Sequence, residues 1–308
     1  MKKMVVGIIM ILFLVFNMFA QNIELNMVKI PANDLRKLVG DESLKDLKNF
    51  EMLEHEVTLE LYVAVMGDHP ENPDKAQNLA KDVVAKRILG GFGIKLNKEK
   101  EEKKNYYQEI GIHDNHPVVG VSLYDIMYFC NVLSVKNGLT PVYSVNGETD
   151  VNKWDYEPHN YEEHRGKSLV TGISFDENAN GYRLPTKLEW FFVTKIGEKY
   201  VYPGSDNIDD VAWYNKNSNK STHEIKQKMP NHFGLYDLTG NVAEFIFDLH
   251  EPEESPYGNS CECLVSYSLG GSFQDSASLL KLASNLRQEP CLCTRGEHFG
   301  FRLVRTIE

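Results

Sequence analysis

The sequence predicts an α+β fold with a low content of regular secondary structure, and three observations carry that reading. Residues 122–135 and 187–196 have the caps and apolar spacing of helices, the extended pieces are short, and turns rich in Gly and Asn separate them. A chain of 308 residues with 42% hydrophobic content is long enough to bury a sizeable core. Its formal net charge of -11, with no basic stripe interleaved with aromatics, argues against a nucleic-acid surface.

The chain opens with Lys2 and Lys3, an apolar run over residues 4–19, and Ala20-Gln21. This is the layout of an export signal with a small residue at the cleavage point. The run is shorter than the roughly 20 residues that a spanning helix needs. The expectation is a signal peptide at 1–20 and a periplasmic or secreted protein with no stable membrane span after cleavage. No Cys follows the run, so a lipid anchor is not expected. The remainder, 21–308, is expected as a single domain.

Residues 27–31 read as a first strand, and 34–49 have the charge and Leu spacing of a short amphipathic helix. Residues 56–66 hold a helix with Leu59, Val63 and Met66 on one face. The charged insertion at about 68–115, broken by Gly90-Gly91-Phe92-Gly93, is either a lid or partner-binding flap or a surface excursion without a role, and the second is preferred. Ser122 caps the next helix with Asp125 three residues on, which aligns Ile126, Phe129, Cys130 and Leu133 on one buried face. Cys130 is therefore expected as an inert core thiol. Residues 141–146 read as a strand turning at Asn146-Gly147, and 161–167 as polar loop. Pro185 holds Leu184 out of the α region while Thr186 and Glu189 form a capping box, so a helix starts at Lys187. Tyr202-Pro203-Gly204 and residues 211–214 are short extended pieces. Between Asp237 and Glu244 the acidic ends flank a Gly240-Asn241 turn, a bend that can gather oxygens around a hard cation.

Several of these segments form an ordered series: residues 27–32, Glu56-Val57-Thr58 with residues 64–67, residues 117–122, residues 138–143, Arg183-Leu184-Pro185-Thr186, residues 231–237, Gly240-Asn241, Gly270-Gly271-Ser272-Phe273 and residues 300–304. In this series, which covers most of the chain after the leader, the protein resembles the formylglycine-generating, or sulfatase-modifying-factor, family. The resemblance implies a C-type-lectin-like fold. The chain departs from the family at 34–49, where a glycine-rich strand pair is usual.

The resemblance also implies site residues. Asp237, Gly240, Val242 and Glu244 match positions where a side chain, two carbonyls and a Glu hold calcium, an ion that takes six to eight oxygens. The bland alternative has Asp237 capping the turn and Glu244 solvated. Family oxidases carry two cysteines three and eight residues beyond the Ser of Gly-Gly-Ser, where thiolates bind Cu(I). Those positions here are Asp275 and Leu280, so copper is not expected. The family's aromatic before the metal-loop Glu is Ala243, leaving Ser272 from the active-site set.

Cys261, Cys263, Cys291 and Cys293 form two Cys-x-Cys pairs. In an exported protein one or two disulfides come first, a four-thiolate zinc or copper site second and relocated catalytic sulfur third. His113 and His116 read as a loop before Pro117, not a metalloprotease pattern, and the glycine-rich run at 90–93 lacks the Lys of a phosphate loop. Two functional readings follow. The first is a calcium-stabilised binding module without oxidase activity, whose groove near Ser272, Phe273, Asp275 and Asn285 holds a peptide, glycan or envelope protein. The alternative is a formylglycine-type protein-cysteine oxidase using the relocated cysteines, which requires one of them beside Ser272.

Overall fold

The computed structural model describes residues 22–32, 44–45, 47–67, 112–156, 158, 172–250, 264–282, 290, 292 and 294–307. In chain order the first elements are β1 (Met27–Ile30), β2 (Phe50–Leu53), α1 (Leu59–Met66), α2 (Leu123–Lys136), β3 (Tyr143–Val145) and β4 (Ile173–Phe175). There follow α3 (Lys187–Lys195), α4 (Ile208–Val211), β5 (Ala212–Trp213), β6 (Thr239–Gly240), β7 (Ala243–Phe245), β8 (Ser268–Leu269), β9 (Phe299–Phe301) and β10 (Val304–Thr306). None of these strands exceeds four residues. Ladders this short do not stand alone, so side-chain packing between loops and sheets has to hold the frame.

The first and last strands share one sheet. β2 pairs antiparallel with β1 on one side and β10 on the other, with Met52 opposite both Val28 and Val304. A second sheet has the order β8-β7-β9, with β7 and β9 parallel. β5 and β6 pair in parallel, and β3 pairs antiparallel with β4. The turn after β3 has Asn146 and Gly147 at φ 52° and 80°, the left-handed conformations that an Asn-Gly turn supplies.

α1 and α2 pack through aromatic rings. Tyr62 stacks on Phe129 with centroids 5.3 Å apart, and Phe129 meets Phe301 of β9 edge-on. The buried face of α1 is Leu59, Tyr62 and Val65, whereas the spacing predicted Leu59, Val63 and Met66. Tyr62, overlooked as an apolar position, supplies the stack and rotates the helix so that Val63 and Met66 lie half-buried at its flank. The helix also starts later than expected, at Leu59, because residues before it are tied in extended form: Val57 N donates to Phe301 O.

α2 carries the predicted capping box between Ser122 and Asp125, and Cys130 is fully buried, so burial pushes its thiol well up. The Thr186–Glu189 box starts α3, which ends at Lys195 with Ile196 as its extended cap. Val211, expected in an extended piece, closes the short α4 instead, and only Ala212 and Trp213 are strand. Of the expected helix at 34–49, Leu44 and Leu47 are buried in the core around Phe50 and Trp190, and residues 33–43 lie outside the described residues. So do 1–21, 68–111 and 161–167.

Arg183 fastens α3 to the C-terminal strand. Its two amino groups each donate to a different oxygen of Glu189 at 2.7 Å, and one also donates to Thr306 Oγ1. Burial alone would raise the Glu189 carboxyl, but Arg183 overrides it and holds the carboxyl below its ordinary value. With both side chains 6% exposed, losing one partner strands a buried charge. Arg183→Met is therefore expected to cost about 3–5 kcal/mol in urea unfolding, and the double variant Arg183→Met, Glu189→Leu to recover most of it. A single-variant loss near the surface-pair level of about 0–1 kcal/mol would contradict this account.

Candidate functional site

The bend at 237–244 is built from residues in unusual backbone states. Asp237, Gly240 and Asn241 have φ of 56°, 74° and 56°. Gly240 is obligatory on a second ground, because a Cβ there would collide with the Trp213 carbonyl oxygen. Asn241 locks the bend: its Oδ1 accepts from His223 N at 2.9 Å, and its Nδ2 donates to Glu56 Oε2 at 2.6 Å. Val242 N donates to the other Glu56 oxygen at 3.1 Å.

Arg302 stands next to this bend, fully buried. It donates to both oxygens of Glu244 at 2.8–3.3 Å and also to the carbonyls of Leu53 and Tyr236. Asp237 Oδ2 accepts from Lys226 N at 2.8 Å, while Asp237 Oδ1 is buried without a partner. Three carboxylates that are 0–3% exposed thus lie in the field of one buried guanidinium, which hydrogen-bonds Glu244 among them. Burial, then the Asp237 and Glu244 charges, push Glu56 well above the usual carboxyl range. Burial also raises Asp237, and it raises Glu244 against the opposing pull of Arg302.

The expected calcium donors are Asp237, Gly240, Val242 and Glu244. Of these donors, Glu244 accepts from Arg302 with both oxygens. Asp237 Oδ1 is a carboxylate oxygen of the expected set with no hydrogen-bond partner among the described residues. Among the described residues no group of three or more His, Cys, Asp or Glu side chains is placed to hold a metal.

The Gly270-Gly271-Ser272 segment lies against the same bend, since Phe273 N donates to Asn241 O at 2.9 Å. Ser272 directs its N–H and hydroxyl at Asp275 Oδ2, at 2.8 and 3.0 Å. Asp275 therefore closes the turn. Leu280 packs with Tyr202, Ile208, Val211 and Tyr214. Ser272 and Phe273, expected to line a groove, are instead 1% and 4% exposed, because the turn folds inward onto residues 218 and 241. Asp275 stays half-buried, and Asn285 lies outside the described residues. Cys261, Cys263, Cys291 and Cys293 also lie outside them.

The sequence reading assigned no role to Glu56 or Arg302, although both sit inside the ordered motifs. A charged residue within an otherwise apolar motif, such as Arg302 between Phe301 and Leu303, was the available signal. Trp213 is a further feature: His223 stacks on it at 3.8 Å, and the Lys228 ammonium lies 4.1 Å from its ring centre.

The raised Glu56 carboxyl gives a pH signature. As pH rises above the ordinary Glu range the unfolded chain releases its proton first, so the stabilisation from Glu56 declines until its own raised pKa is passed. Glu56→Gln has no such titration. Its stability relative to the parent is expected to improve from about pH 4 to pH 7, whatever its offset, as read by urea unfolding. His55 and His116, depressed by burial, lose stability towards acid in both proteins and cancel in the difference. A flat difference would mean that Glu56 ionises normally.

Comparison with known proteins places this geometry in a family. The family description "Sulfatase-modifying factor enzyme 1-like domain" matches residues 26–307. Among solved structures, Treponema denticola variable protein 1 is 27% identical, with 84% of this chain and 85% of that chain covered and a TM-score of 0.57. CarF is 25% identical over 85% of this chain and 88% of its own, with a TM-score of 0.58. PvdO from Pseudomonas aeruginosa, at 18% identity, 84% and 81% coverage and a TM-score of 0.50, shows a likeness of fold alone. A curated relative, "Chaperone protein LppX" of Paenibacillus barcinonensis, is 32% identical over 163 residues, which are 46% of this chain and 55% of that protein. The match thus spans about half of that relative's length. By its near end-to-end match, and by the mixed helix-and-sheet fold with little regular secondary structure that it shares with these neighbours, the chain belongs to the sulfatase-modifying-factor, formylglycine-generating-enzyme-like family.

Proposed function

We propose that this protein is an exported, calcium-stabilised binding module of its family without oxidase activity. The observation that carries the reading is the chemistry of Asp275 and Leu280 at the positions where family oxidases hold two cysteines. Cu(I) selects soft sulfur, a carboxylate is a hard donor and an isobutyl group is no donor. Both side chains are moreover committed, Asp275 to the Ser272 turn and Leu280 to an apolar cluster. The leader at 1–20 supports export, and no helix among the described residues is long and apolar enough to cross a membrane. The partner class is a peptide, glycan or envelope protein. That a relative bears the name chaperone puts a polypeptide first.

Calcium enters this reading through Asp237, with the carbonyls of Gly240 and Val242 in the same bend. Glu244 would join with oxygens that it shares with Arg302. The cation is tested by heat. Chelator is expected to lower the melting temperature of the parent and calcium to restore it, while Asp237→Asn loses the response. A parent that answers to neither removes the cation from the proposal. The absence of oxidase activity is tested separately, by oxygen uptake with cuprous ion and a cysteine-containing peptide. The expected result is no uptake and no aldehyde; sustained turnover would restore the oxidase reading.

A further inference from the structure

The sheet that joins the two chain ends carries a polar cavity of about 310 Å³, formed by residues that none of the preceding chemistry uses. β2 and β10 place Glu51 opposite Arg305, and Arg305 Nε donates to Glu51 Oε2 at 2.7 Å. That is the one side-chain hydrogen bond either of them makes among the described residues, so Glu51 Oε1 and the two Arg305 amino groups are left over. The Tyr182 hydroxyl accepts from Asn137 Nδ2 at 3.1 Å, and its own proton has no acceptor among the described residues. Glu51 and Tyr182 are buried, at 8% and 6% exposed, while the Arg305 side chain is 29% exposed.

The remaining wall combines Asn22 and Asn137 with an apolar strip. Leu25, Met27 and Leu139 line it. The segment that carries Leu25 is pinned by Asn137, whose carboxamide accepts from Ile23 N and donates to Ile23 O, both at 2.9 Å. One acceptor, a forked donor and a hydroxyl donor therefore converge beside an apolar strip. The carboxylate and the guanidinium offset each other, so nothing in the cavity draws a net charge. Its volume is at the lower end of the range for small-molecule sites, about 300–1,000 Å³.

We propose that this cavity binds a single neutral sugar residue, with vicinal hydroxyls bridging Glu51 Oε1 and the Arg305 amino groups and the C–H face of the ring against Leu25, Met27 and Leu139. Hydroxyls fit because each both donates and accepts, which a carboxylate beside a guanidinium demands of neighbouring ligand atoms. The site is made of residues other than Asp237, Ser272 and Asp275, and it does not depend on whether the protein lacks oxidase activity.

The test is a titration of the full mature chain with glucose, galactose, mannose and N-acetylglucosamine, followed by NMR of the Leu25, Met27 and Leu139 methyl groups and the Arg305 Nε–H. Glycine serves as a zwitterionic control. The expected result is saturable movement of these signals with at least one sugar and none with glycine. Tyr182→Phe, which leaves both Asn137–Ile23 bonds available, is expected to weaken that binding roughly fivefold, as for loss of one hydrogen bond. Glu51→Gln is the second variant, and its melting curve guards against a folding defect. No saturation with any of the sugars, saturation by glycine instead, shifts elsewhere on the chain, or sugar affinity untouched by both variants would each overturn the proposal.

Discussion

The frame depends on one buried guanidinium. Arg302 is fully excluded from water and donates to Glu244, to the carbonyl of Leu53 in β2 and to that of Tyr236 just before the bend. Taking such a charge out of water costs several kcal/mol, and only complete hydrogen bonding repays it. The three partners come from three separate stretches, so the arginine is stable only when all three are in place. A lysine cannot substitute, because a compact ammonium lacks the planar fork that reaches three directions at once. The short strands are thereby held together by a polar centre as well as by their ladders.

That centre is not electrically balanced by its side chains alone. Glu56, Asp237 and Glu244 contribute three potential negative charges against Arg302, with burial acting on all four. Two remedies suit the geometry. A proton on Glu56 removes one charge while its oxygens continue to accept from Asn241 and Val242. A cation beside Asp237 Oδ1 would offset another at the atom that has no hydrogen-bond partner. The proton and the cation answer the same excess, which couples the acid behaviour of the bend to the calcium proposal.

The parts of this arrangement that were legible in the sequence are those set by neighbours in the chain. The helices after Ser122 and Thr186 were readable because a capping box closes within four residues. Asn146-Gly147 was readable because its backbone conformations are intrinsic to those residues. The buried face of α1 was not, since Tyr62 is apolar in its ring and polar at its tip and was left out of the periodic set. The Arg302 centre was harder still: Leu53 and Arg302 are 249 positions apart, and no local rule links them. Ser272 and Phe273 were misread as groove residues because the side of a loop that faces inward is decided by distant contacts, here those of Asn241 and Ser218.

The same inward turn bears on how the proposed loss of redox chemistry is to be understood. Leu280 is 6% exposed and packs among Tyr202, Val211 and Tyr214, with no metal-binding atom in its side chain. Asp275 likewise has taken over a structural task, holding the N–H and hydroxyl of Ser272 with one oxygen. In the proposed reading these positions are therefore more than two missing ligands. Both side chains are packed into the surrounding chain, a carboxylate stabilising the turn and an aliphatic side chain extending the apolar cluster. The fold can persist through such a change because Arg302, Glu244 and Glu56 hold the bend from its other side, with partners that include neither Asp275 nor Leu280.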